Sequence, residues 1–203
     1  MSSRTEQTRQ AIVDAAAHLW LERGLHAAGL EEIAAAAGVT RRTIYLHFGG
    51  KLALLFAVVD QAEREAGLPE LGARLREART PEEILERLAD IQVQYVPRVY
   101  ESIRLVHAAR REEPAADKVW SGRMRRRRAT FRVLAARIQE QGRLDRGLTL
   151  DDAVMLIWVL TSPHMYEYLV VDGGWSLKRY RGHIVRLLRR ALLTGAPRSR
   201  SGR

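Results

Sequence analysis

Residues 31–48 read EEIAAAAGVTRRTIYLHF. Leu30, Ile33, Ala34 and Ala37 fall on one face of a short helix that Gly38 closes. Thr40 is a good N-cap for a second helix, in which Ile44 and Phe48, four residues apart, form a face to bury. Gly38 accepts positive φ because it has no Cβ, and Val39 is placed to plug the corner. Arg41 and Arg42 stand in the first turn of the second helix. Arginine is the commonest bidentate partner of guanine, and helix N-terminal amides favour phosphate. These are the parts of a helix-turn-helix, although the same pattern also suits a tight helical corner unrelated to DNA.

Helical periodicity continues on both sides. Ile12, Ala16, Leu19 and Trp20 make residues 5–23 an amphipathic helix ending at Gly24. After Gly49-Gly50 the pattern resumes over 51–66 through Leu54, Leu55, Val58 and Val59. Thr80-Pro81-Glu82-Glu83 is a strong helix start, with a capping hydroxyl, a first-turn proline and acids at the positive dipole end. That helix is expected to reach about Tyr95, with Pro97 kinking or ending it. Further helices are expected over 98–112, from Pro114 to Gln141, from Thr149 to Asp172, and from Ser176 to Thr194. No strand alternation or internal repeat is visible. The fold class is therefore all-α, with a three-helix N-terminal domain over 1–66 (helix-turn-helix 29–48), a larger helical domain over 67–195 and a polar tail, 196–203, expected to fray.

The 203-residue chain has a net charge of +10 but no cysteine, which excludes disulfides and thiolate metal sites. Residues 1–65 hold seven Lys/Arg against eight Asp/Glu, so the excess charge lies elsewhere. The polar opening MSSRTEQTRQ is not a secretory leader, which makes a cytoplasmic protein the expectation. RMRRRR at 123–128 is the most basic run; on a helix its arginines point all ways, so a solvated face competes with a nucleic-acid or anion patch.

The motifs T-R-x-x-I-x-x-A-A at 8–16, R-G at 23–24, I-A-x-x-A-G-V at 33–39, T-I-Y-x-H-F at 43–48, then Lys51 and Leu54, stand in fixed order. In this the chain resembles the DNA-binding domain of the TetR family of transcriptional regulators. LTSPHMYEYLVVDGGWS at 160–176 is also similar to a pattern near the end of some members. The resemblance implies that Thr40, Arg41, Arg42 and Thr43 face base edges. It implies that Tyr45, His47 and Lys51 meet the sugar-phosphate backbone, with Arg4 and Thr8 close to it. Ala28-Gly29 stand where the family commonly has a threonine or serine, Arg42 where it has a small residue, Gly50 where it has a capping side chain, and Leu52 where it often has an acid.

The resemblance further implies a homodimer on a pseudo-palindromic double-stranded operator, most simply a repressor that answers to a small hydrophobic effector. His107, Trp120, Trp158 and Tyr168 are the candidate effector residues, chosen for size and a polar handle, against ordinary core packing. The apolar run 153–171 carries Pro163, His164 and Glu167 and is a poor membrane span. Burial against a second subunit suits it better, with Leu160 and Leu169 joined by Ile184, Leu187, Leu188 and Ala191 of the last helix as the expected dimer interface. No His-x-x-x-His pair, glycine-rich phosphate loop or nucleophile elbow supports catalysis, and no cofactor is implied. The other readings are a DNA-binding dimer without small-molecule control, and an all-α enzyme or RNA-binding protein using the arginine run.

Overall fold

The computed structural model describes residues 3–194. The tail expected at 196–203 lies outside the described residues. Eleven α-helices and one π-helical turn follow one another, and no strand occurs among the described residues. The helices are α1 (Arg4–Arg23), α2 (Leu30–Ala36), α3 (Arg41–Phe48), α4 (Lys51–Glu65), α5 (Leu68–Glu77), α6 (Pro81–Gln94), α7 (Val96–Glu112), α8 (Pro114–Glu140), α9 (Leu150–Leu160), α10 (Pro163–Tyr166) and α11 (Leu177–Leu192).

Their starts are chemically explicit. Ser3, Thr80 and Thr149 each accept a hydrogen bond from the third helical amide, and the carboxylates of Glu6, Glu83 and Asp152 accept one from the cap amide in turn. Pro97 sits in the first turn of α7, where its missing N–H costs no helical bond, and the chain breaks two residues earlier, at Tyr95. The long helix expected over 149–172 is interrupted. Pro163 cannot donate to the preceding turn, so α9 stops at Leu160 and α10 restarts from Ser162 with a 42° bend. Glu167–Asp172 then widens into a π-turn. No single described helix is long and apolar enough to cross a membrane.

The chain divides into two compact units. The first joins 1–66 with Arg98–Gly122; the second joins Gly67–Pro97 with 123–203. In the first unit, Ile12, Ala16, Trp20, Ile33, Ile44, Leu54 and Val59 have no solvent exposure, and α1 packs on both α2 and α4. In the second, α11 lies against α6 and α9. Its core includes Leu85, Phe131, Ile138, Ile157, Tyr180 and Ile184. Asp145 and Thr194 close the end of that unit through hydrogen bonds from their backbone amides to the Leu192 and Arg143 carbonyls.

Glu83 accepts from the amides of Arg79 and Thr80, which holds its carboxyl below the ordinary value of 4.5. A carboxyl lowered in the folded state stabilises the fold above its unfolded pKa and ceases to do so as pH falls through the folded one. Wild type should therefore exceed Glu83→Ala in melting temperature at pH 7. The gap should close as pH is lowered below 4.5, which thermal melts across that range will measure.

Candidate nucleic-acid interface

The turn between α2 and α3 is built from backbone alone. Gly38 adopts φ +66°, and the Val39 amide donates to the Ala34 carbonyl at 2.9 Å. Thr40 opens α3, its Oγ1 accepting from the Thr43 amide at 3.2 Å and lying 2.9 Å from the Thr43 hydroxyl. Ile44 is buried and Phe48 half-buried, so the inner face of α3 is set. Arg41, Arg42, Tyr45 and Leu46 consequently point outward.

The two arginines differ. Arg41 is tied back to its own domain: it ion-pairs with Glu31 of α2, donates to the Tyr45 hydroxyl at 3.2 Å and lies 5.5 Å from the Tyr45 ring centre. These contacts, Tyr45 first and Glu31 second, raise its guanidinium pKa above the ordinary value. Arg42 is exposed, and its side chain makes no ion pair or hydrogen bond among the described residues. It is the uncommitted guanidinium on the helix.

Of the residues expected at the backbone, Tyr45 is 44% exposed, and His47 is half-buried with its ring tilted against Phe48. Lys51 turns inward: its Nζ donates to the Leu25 carbonyl at 2.7 Å and lies 5.9 Å from the Trp20 ring centre. Thr8 donates to the Arg4 carbonyl at 3.0 Å, and Arg9 stacks over Phe48 at 4.4 Å. Gly29 offers α2 no side-chain cap; Glu32 instead accepts from the Gly29 amide at 3.3 Å.

Residues 12–58 match the family model described as bacterial regulatory proteins, tetR family. The chain carries the DNA-binding domain of the TetR family of transcriptional regulators. The transcriptional regulator SrpR of Pseudomonas putida is 42% identical over 74 residues, 35% of either chain. The transcriptional repressor BepR of Brucella suis biovar 1 is 46% identical over 56 residues, covering 28% of this chain and 27% of that one. The chain spans 35% of the length of SrpR and 55% of that of TtgW, another Pseudomonas putida regulator. A protein of Saccharomonospora viridis solved in complex with choline superposes with a TM-score of 0.76 at 20% identity, over 94% of this chain and 100% of that one. That likeness is one of fold.

Beyond the TetR-type domain the structure rearranges the sequence candidates. His107 and Trp120 belong to the first compact unit, their rings edge-on at 5.3 Å, whereas Trp158 and Tyr168 belong to the second. Tyr168 is 62% exposed and lines no interior. Trp158 meets Phe131 edge-on at 6.3 Å, with the Arg127 and Arg128 guanidinium groups 5.3 and 5.5 Å from its ring centre. Arg127 also donates to the Thr161 carbonyl at 2.6 Å, so part of the basic run serves its own unit.

The residues expected at a dimer interface differ in burial within the single chain. Ile184 and Leu188 are wholly buried in the core of the second unit. Leu160, Leu169 and Ala191 are half-buried against that same core, and Leu187 is half-buried. The apolar groups of the second unit that face outward include Met155 and Val159 of α9 and Tyr168 and Val171 of the π-turn, beside Val133 of α8 and Leu177 of α11. The signal for those of α9 and the π-turn was present in the sequence as a second face of the apolar run 153–171.

A Cβ added at Gly38 would meet nothing within 4 Å, so only its left-handed backbone resists substitution. Gly38→Ala should destabilise the first unit by about 1 kcal/mol. Urea unfolding followed by circular dichroism will measure the loss.

Proposed function

We propose that this chain is a ligand-responsive repressor that binds a pseudo-palindromic operator as a homodimer. Arg42 carries the reading: it is an unpaired guanidinium in the first turn of the outward helix of a TetR-type domain. Such a group pairs with the O6 and N7 of guanine in the major groove. Arg41, braced by Glu31, holds the Tyr45 hydroxyl where it can meet a phosphate. Repression follows the similarity to BepR over the same domain. This work is done where the DNA is, in the cytoplasm.

Two reading heads related by a two-fold enter successive major grooves about 34 Å apart. The second copy is taken to cover Met155, Val159, Tyr168 and Val171, which a single chain leaves in water. Effector control draws support from the choline bound by the Saccharomonospora viridis protein. The second unit also carries polar groups inside its core. Tyr180, buried, lies 3.4 Å from Gln92 Oε1, and burial pushes its phenol pKa well up, so it is a neutral donor. An effector acts by favouring one arrangement of the two heads over the other.

Arg42→Ala should weaken operator binding by about 1–3 kcal/mol and relax specificity at one base pair per half-site. Val159→Glu should shift sedimentation from dimer to monomer and weaken operator binding through loss of the second head. Fluorescence anisotropy at fixed salt and analytical ultracentrifugation provide the readouts. Duplex binding that survives Arg42→Ala with unchanged specificity but collapses on Arg125–128→Gln would move the site to the arginine run.

A further inference from the structure

Leu46 is 77% exposed, the most open large apolar side chain among the described residues. It lies on α3, four residues after Arg42. At 100° per residue the two project about 40° apart on the outward side, with Leu46 about 6 Å, just over one turn, further along the axis. Ile44 and Phe48 hold the opposite face inward, so the helix cannot roll to hide Leu46 within its own unit.

The charge of the unit bears on what Leu46 can do. The first compact unit holds twelve Lys/Arg against twelve Asp/Glu, so it has no net charge. General attraction to phosphate is correspondingly modest, and discrimination falls to side chains that touch base edges. A leucine offers those edges no hydrogen bond. The apolar group that the major groove presents is the C5-methyl of thymine.

We propose that Leu46 is a specificity-determining residue that packs on the C5-methyl of a thymine within two base steps of the guanine taken by Arg42. The proposal rests on the DNA-reading function above. The four-residue rise of about 6 Å compares with a base step of about 3.4 Å, which sets the offset. Burying one methyl group is worth roughly a fourfold change in affinity.

The test uses the full chain and the duplex it selects from a random-sequence pool, with each thymine replaced in turn by deoxyuridine, which lacks only that methyl. Anisotropy titrations should show about fourfold weaker binding at one thymine per half-site. Leu46→Ala should bind the thymine and deoxyuridine duplexes alike, while Arg42→Ala, though weaker, should retain the preference. Because Leu46 is exposed, the Leu46→Ala melt should match wild type. The proposal is overturned if wild type ignores every deoxyuridine replacement, or if Leu46→Ala keeps the preference. A wild-type chain that selects no duplex at all would defeat the DNA-reading function itself, a different outcome from the loss of one methyl contact.

Discussion

The Trp20 indole N–H donates to the Ala28 carbonyl at 3.1 Å from a site with no solvent exposure. Lys51 approaches the same ring and reaches past it to the Leu25 carbonyl. α1, the loop that follows it and the start of α4 are thereby pinned around one side chain. The recognition elements need this support. α2 has seven residues and α3 eight, far too few to hold helical form in water. They persist because Ile33 and Ile44 are fixed in the core around Trp20. The outward direction of Arg42 and Leu46 is a consequence of that inward anchoring.

Charge is distributed against first expectation. A chain of net +10 suggests a cationic DNA-binding head, yet the first unit is neutral and the excess lies in the second. Much of that excess is engaged locally: Arg143 with Glu82, Arg181 with Asp90, Arg189 with Glu86, and Arg127 with Thr161. Of these, the exposed Arg189–Glu86 pair contributes little to stability. Within the head, two adjacent arginines are separated by geometry into a braced residue and an open one. Specific contact through α3, rather than bulk charge, is the physically economical way for such a head to choose a sequence.

Helix starts were legible because caps are local. Ser3, Thr40, Thr80, Thr149 and Ser176 each use a hydroxyl within three residues of the amide it satisfies. The helix-turn-helix was legible for the same reason: Gly38, Val39 and Thr40 act through neighbours in the chain. The difference between Arg41 and Arg42 was not legible, since it depends on Glu31 reaching across from another helix. The exposure of Leu46 follows from its helical phase, about 200° from the buried Ile44.

By itself the sequence determined an all-α chain, its N-terminal reading domain and the places where most helices begin, because these rest on periodicity and on contacts a few residues long. The tertiary structure alone decided which surfaces meet. An apolar stripe requires that a helix face be covered but does not say by what. On α11 that stripe, Ile184 and Leu188 included, is covered by α6 and α9 of the same chain. Apolar groups on α9 and on the π-turn beyond Pro163, Met155, Val159, Tyr168 and Val171, remain in water.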